Sequence, residues 1–372
     1  MQPTLCMCLL ARSRLIQILY RIYLANYKHE YILSLDIKKL LQTALWFLRR
    51  NDWDMINYYD FLAPYFLRAT GNNMLNFGFW TDNTQNPTEA QNELCRLVGK
   101  FAELDLAKNL VDVGSGFSDP AMLWKLAYTP LNIICVNINF LQQKVASELM
   151  RQRANNNNNN NIVNYKISAR SLLSASFIAN TITNATEIMP LVNATAKILP
   201  FRDKCMDRII ALESAQHFKP LVQFIQESRR ILEYDGLLVI AIPVMKLPKC
   251  NSLLTPTMLE FMKLGILSFL WASEHYELKN IESMINNVGF DIIDIQWIGS
   301  HVYEPLANYY MQNRSVIKNI LLKDENSSLL SSYFLNISYD LFEKIVYKSA
   351  LKMKVAYQEG IIDYVLIKAR SV

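Results

Sequence analysis

The chain has 372 residues, 51% hydrophobic and 19% charged, enough apolar material for one large domain or for one domain with additions. Its net charge of +5 is carried by residues 1–53, where eight Lys/Arg stand against three acids. The rest is neutral, which excludes the spread basic face of a nucleic-acid reader. The six cysteines, at 6, 8, 95, 135, 205 and 250, form no C-x-x-C pair and no metal-ligand spacing. The reading is reduced thiols in a cytoplasmic chain without a metal. No run of eighteen uncharged apolar residues occurs, so no membrane span is expected. Leu253–Trp271 comes nearest, and Glu260 and Lys263 interrupt it.

Residues 1–53 read as a basic amphipathic helical extension. Leu15, Ile18, Leu19, Ile22 and Tyr23 recur at helical spacing, with Arg12, Arg14 and Arg21 between them. Three roles stay open for residues 5–50: a helix packed on the core, a helix lying on a membrane surface or a partner, and a targeting peptide. Residues 54–106 read as helices around a loop, Met74-Leu-Asn-Phe-Gly-Phe-Trp80.

From Leu110 strands and helices alternate. The expected strands are Leu110–Val113, Asn132–Asn137, Arg208–Ala211 and Leu237–Ile242. Helices are expected near 120–128, over Leu141–Arg153 and over Leu221–Leu232. Seven asparagines at 155–161 open a Ser/Thr/Asn-rich segment, 154–187, that reads as a disordered insertion. Two candidates for the third strand flank most of it, Ile162–Ile167 and Ile188–Val192, and the second is preferred. Residues 244–340 read as a helical cap with a strand from Gly289 to Trp297 inside it. Helix Tyr339–Tyr357 then leads through Glu359-Gly360 into a returning strand, Asp363–Ala369. The expected fold is α/β: a Rossmann-like, doubly wound, mostly parallel sheet with an antiparallel edge strand. Its domain would run from 54 to 372.

The chemistry-bearing stretch is Asn109-Leu-Val-Asp-Val-Gly-Ser-Gly-Phe-Ser118. An apolar strand ends in an acid and two glycines spaced by one residue. Such glycines permit a sharp turn and a close backbone approach to a ligand. Ser118 is read as standing in for the third glycine of a dinucleotide fingerprint, which argues against a pyrophosphate cofactor.

Motif by motif, the chain resembles the class I S-adenosylmethionine-dependent methyltransferases. Within them it is similar to the small-molecule branch that includes sterol, tocopherol and rebeccamycin-type sugar methyltransferases. Val111-Asp-Val-Gly-Ser-Gly116 matches the family's first motif. The resemblance implies cofactor contacts from Asp112, Gly114, Ser115 and Gly116. Asn137, five residues before Gln142, stands where most members hold the ribose with an acid; an amide oxygen can still accept from a hydroxyl. Asn193-Ala-Thr-Ala-Lys-Ile-Leu-Pro-Phe201 resembles the adenine-binding segment, with Thr195 in the acid's place and Ala196 after it. Cys205–His217 resembles the fourth-strand segment and implies Glu213 and His217 as catalytic residues, Glu213 also facing the cofactor. His217 as a neutral imidazole could take a proton, or serve as a core or helix-end hydrogen-bonder. Tyr59 and Trp80 resemble the lid over the cofactor. The aspartate some sugar methyltransferases carry after the fifth strand is missing, because Ile242 runs into Pro243.

The implied activity is methyl transfer from S-adenosyl-L-methionine to an oxygen or carbon of an apolar or amphiphilic small molecule. The rival is a catalytically degenerate scaffold, motivated by the departures at Ser118, Asn137 and Thr195. Oligomeric state is not legible.

Overall fold

The computed structural model describes residues 51–157, 189–246, 276–322 and 329–372. The basic stretch 5–50, most of the insertion, the alternative strand at 162–167 and the apolar stretch 253–271 lie outside the described residues. The chain forms two compact units, 1–61 and 62–372. Helix α1 (Asp52–Thr70) spans the boundary. In the first unit its start is capped reciprocally: the Asp54 amide donates to Asn51 Oδ1 at 2.9 Å and the Asn51 amide to Asp54 Oδ2 at 3.2 Å. Tyr58 and Tyr59 meet edge to face in this unit.

The second unit is built on a seven-stranded sheet. In chain order its elements are α2 (Pro87–Phe101), β1 (Asn109–Val113), α3 (Asp119–Ala127), β2 (Asn132–Asn137) and α4 (Phe140–Asn157). Then come β3 (Leu191–Asn193), β4 (Met206–Leu212), a 3-10 turn (Ala215–His217), α5 (Leu221–Ile231) and β5 (Leu232–Met245). The remainder is α6 (Leu278–Asn287), β6 (Phe290–Trp297), a 3-10 turn (Gly299–His301), α7 (Tyr303–Leu322), α8 (Leu329–Gln358) and β7 (Ile362–Ser371). The strand order is β3-β2-β1-β4-β5-β7-β6. Pairs from β3 to β5 are parallel. β7 runs antiparallel to both β5 and the outermost strand β6. The expected α/β architecture with an antiparallel strand at this margin is therefore present, with the antiparallel strand one place in from the edge.

Both faces of the sheet are covered, so central strands read as continuous apolar runs. Successive residues alternate between two cores. Leu110, Val239 and Ala241 face one core with Leu94, Val98 and Trp124. Val111, Val113, Leu238 and Ile240 face the other, with Leu221, Phe224 and Ile285. The preferred third strand, expected over Ile188–Val192, forms over Leu191–Asn193 and pairs through Cys135↔Leu191 and Asn137↔Asn193. β5 extends past the expected stop at Ile242 and carries Pro243 opposite Tyr364. The proline is tolerated because the β4 ladder has already ended at Leu212↔Ala241. Residues 290–297, expected inside the cap region, form a strand that joins the sheet through β7.

α7 and α8 hold a carboxylate whose side chain has no exposure, Glu343, in a two-pronged pair with Arg314 at 2.8 and 3.2 Å. The guanidinium also lies 3.9 Å from the Tyr347 ring centre. Arg314→Ala should leave Glu343 buried without its partner and lower stability by about 1–3 kcal/mol. Arg314→Ala combined with Glu343→Leu should recover much of this loss. Thermal unfolding of both variants checks it; an unrecovered double variant would show that the arginine acts through packing.

Candidate active site at the strand ends

The glycine turn after β1 is held by its neighbours. The amides of Gly114 and Ser115 donate to the Val136 carbonyl at 2.7 and 3.1 Å. Gly114 has φ +80°, and a Cβ there would lie 2.3 Å from Ser214 Cβ. Gly116 has φ +57° and open space where its Cβ would stand. Ser118 takes a left-handed conformation at φ 63°; counted from Gly114, the third glycine's place falls not on it, as read from the sequence, but on Asp119, which opens α3. The buried Ser118 hydroxyl donates to Ser115 Oγ at 3.2 Å. The turn is thus intact without the third glycine.

Asp112 is buried on β1, and burial pushes its carboxyl up to about 7. Its Oδ2 makes no hydrogen bond among the described residues. At the end of β2, Asn137 is engaged with the protein itself. Its Nδ2 donates to the Gly116 carbonyl at 3.1 Å and to Gln142 Oε1 at 2.9 Å. Its Oδ1 accepts from the Asn139 amide at 3.1 Å. Asn139 caps α4 by accepting from the Gln142 amide at 3.1 Å. Gln142 Nε2 is buried and makes no hydrogen bond among the described residues. Beyond β3, Thr195 Oγ1 accepts from the Lys197 amide at 3.4 Å, and Ala196 is buried.

After β4 the chain passes through Glu213 in a left-handed conformation, φ 50°. Ser214 Oγ donates to the Val113 carbonyl at 2.6 Å, which ties this segment to the end of β1. The Glu213 carboxylate accepts from the Phe77 amide at 2.8 and 2.9 Å and from the Tyr364 hydroxyl at 2.9 Å. Desolvation outweighs these donors and pushes its carboxyl up to about 8. His217 closes the 3-10 turn, its amide donating to the Ser214 carbonyl at 2.9 Å. Burial, aided by Lys219, pushes its imidazole down to about 3.

Trp80 ends the loop that lies against this region. Its amide donates to the His301 carbonyl at 2.8 Å, and His301 Nδ1 lies 2.9 Å from the Trp80 carbonyl oxygen. The Trp80 ring packs on Tyr309, 5.3 Å between centres. The structure therefore gathers Asp112, the 114–116 turn, Asn137, Gln142, Glu213 and His217 at the carboxyl ends of β1, β2 and β4. Tyr59 belongs to the first unit. Sequence reasoning missed Asp363, Tyr364 and His301. Only one weak signal was available, an acid and a tyrosine opening an apolar strand. A cavity of about 520 Å³ opens at the opposite, amino ends of the strands, beside Asn109, Asn132, Phe201 and Arg202. None of the residues above lines it, so it is not the site of the chemistry.

This fold, with polar groups gathered where parallel strands end, defines a Rossmann-like ligand-binding site. Residues 111–240 match the family model described as a methyltransferase domain. Erythromycin 3''-O-methyltransferase of Saccharopolyspora erythraea is 22% identical over 291 residues, covering 75% of this chain and 84% of that one. The cyclopropane synthase MmaA2 of Mycobacterium tuberculosis superposes with a TM-score of 0.60 at 14% identity, over 86% of this chain and 98% of that one. Geranyl diphosphate C-methyltransferase of Streptomyces coelicolor A3(2), solved with S-adenosyl-L-homocysteine, superposes at 0.54 and 12% identity, over 85% and 98%. Residues 111–240 thus carry a methyltransferase domain, and the chain is similar over most of its length to small-molecule methyltransferases; S-adenosyl-L-methionine is the cofactor that this similarity indicates.

The residues fit that group. The cofactor carries an ammonium and a sulfonium, and two buried carboxyls, Asp112 and Glu213, stand at the strand ends. Gly116 leaves open the space a side chain would fill.

Two outcomes follow. Gly114→Ala should destabilise the fold by at least about 2 kcal/mol, because strain and the clash with Ser214 act together; chemical denaturation measures it. Asp112 has its folded pKa raised from 3.8 to about 7, so its contribution to stability is present at low pH and is lost as pH rises through about 7. Asp112→Asn should remove that dependence. Its melting temperature relative to wild type should climb between pH 4 and pH 8, and a constant difference would contradict the assignment.

Proposed function

We propose that this enzyme methylates an oxygen or carbon of an apolar or amphiphilic small molecule, with His217 taking the acceptor's proton. The observation that carries the reading is the juxtaposition of the β1 glycine turn with the Glu213–His217 segment, joined by the Ser214–Val113 hydrogen bond. The relatives named above are methyltransferases of erythromycin and of geranyl diphosphate, which agrees with a small acceptor. The aromatic residues Phe79, Trp80 and Tyr309 beside the strand ends favour an apolar body. The three described cysteines are free, in keeping with a reducing cytoplasmic setting.

The cofactor supplies an electrophilic methyl group on sulfur. The chain's part is alignment and proton removal. The turn at 114–116 would receive the amino-acid end, with Asp112 facing its ammonium. Gln142 Nε2 would donate to a ribose hydroxyl, and the one remaining lone pair of Asn137 Oδ1 would accept from one. Thr195 and Ala196 would flank the adenine.

Burial keeps His217 neutral at physiological pH. So weak a base suits a proton that becomes acidic only as the methyl bond forms. Isothermal titration with S-adenosyl-L-homocysteine tests the cofactor site; absence of binding at millimolar concentration would remove the catalytic reading. With a panel of hydroxylated apolar acceptors and radiolabelled S-adenosyl-L-methionine, His217→Ala should lower turnover about 100-fold or more while binding persists. The wild-type rate should show no loss of activity between pH 7 and pH 5 from this group, since its imidazole is charged only near pH 3.

A further inference from the structure

Glu213 is expected among the catalytic residues, yet its carboxylate is engaged by two donors of the protein. The Phe77 amide reaches both oxygens, at 2.8 and 2.9 Å, and the Tyr364 hydroxyl reaches Oε1 at 2.9 Å. Tyr364 has no exposure and stands near the start of β7, opposite Pro243. It can be there only because β7 runs antiparallel, which brings its first residues to the end of the sheet where β4 and β5 finish. Phe77 lies in the loop between α1 and α2, and its ring meets those of Tyr303 and Tyr364 edge to face.

The same strand end reaches the other end of this loop. Asp363 Oδ1 accepts from the Gly299 amide at 3.2 Å, and Asp363 Oδ2 pairs with Lys246 at 2.5 Å. A Cβ on Gly299 would lie 2.3 Å from that Asp363 oxygen, so the contact depends on glycine. The turn so fixed, Gly299–His301, holds Trp80 through two contacts of 2.8 and 2.9 Å. A third tie comes from α2, where Gln91 Nε2 donates to the Asn76 carbonyl at 2.6 Å.

We propose that Glu213 and Tyr364 are positioning residues, a clasp that holds residues 76–80 against the cofactor floor. The assignment rests on reading the 114–116 turn as that floor. The Phe77 amide and the Tyr364 phenol take most of the acceptor positions of this carboxyl group, which leaves little of it for a substrate. Proton removal therefore falls to His217, and Glu213 acts through the position of Phe77. The left-handed backbone at Glu213 agrees with this, because strain of this kind persists where surrounding contacts over-determine a conformation.

The test uses the full chain and three variants, Tyr364→Phe, Glu213→Gln and Glu213→Ala. Limited proteolysis without ligand reads the loop directly, and titration with S-adenosyl-L-homocysteine reads the floor. Tyr364→Phe should speed cleavage within residues 71–86 and weaken ligand binding about 10-fold, the effect of one buried hydrogen bond. Glu213→Ala should weaken binding about 100-fold. Glu213→Gln, which keeps one acceptor oxygen, should fall between wild type and Glu213→Ala in both measurements. A role in general stability alone would lower the melting temperature without this ordering or this cleavage site. If Glu213→Ala does not fold, Tyr364→Phe alone carries the test. Unchanged cleavage and affinity in Tyr364→Phe would overturn the clasp. If the wild type itself binds no S-adenosyl-L-homocysteine, the cofactor reading falls, while the cleavage arm still decides whether the clasp exists.

Discussion

The close approach of Gly114 to Ser214 is the constraint on which the rest of the site depends. β1 and β4 are neighbours in a parallel sheet, so both chains leave it at the same end and compete for the same space. Gly114 has no side chain to place there, and Ser214 fills the gap with its hydroxyl on the Val113 carbonyl. Two segments far apart in sequence are thereby held in contact. One opens toward α3 and can receive a ligand's polar end. The other delivers Glu213 and His217. A sheet covered on both faces has only its strand ends free for chemistry, and this contact organises one of them.

Burial then sets the electrostatics. Asp112 sits among apolar side chains and Glu213 lacks the solvation its charge prefers, so both carboxyls bind protons more tightly than usual. The same burial makes His217 resist protonation. Such a site is poorly satisfied by water and well satisfied by a ligand bearing positive charge. Preorganised groups of this kind need little rearrangement when the charge arrives. Burial and ionisation pull in opposite directions here, because each of these carboxyls weakens the fold when it is charged.

Much of this was legible in the residues. The Val111–Gly116 motif lies where an α/β reading places it, and the strand–helix alternation gives the parallel core. The Asn137–Gln142 spacing marks a real contact, a 2.9 Å hydrogen bond. The residue that caps α4 is Asn139, one turn position away from the residue that draws the eye. A run of Asn-Ile-Asn offers two equivalent amides, and only the direction of the chain leaving β2 decides which one caps. At Pro243 the sequence argued for a strand end, since proline removes a ladder donor. The strand continues because its β4 neighbour has already turned away.

The sequence by itself determined the order of strands and helices and the sharp turn at the end of β1. These rest on local rules: side-chain alternation, glycine's backbone freedom and apolar runs. The tertiary structure alone decided that Tyr364 and Asp363, about 250 residues downstream of Gly114, meet Glu213 and Gly299. Their position comes from β7 entering the sheet antiparallel between β5 and β6. No local preference encodes that direction, because β7 pairs with β5 and β6, which lie far away in sequence.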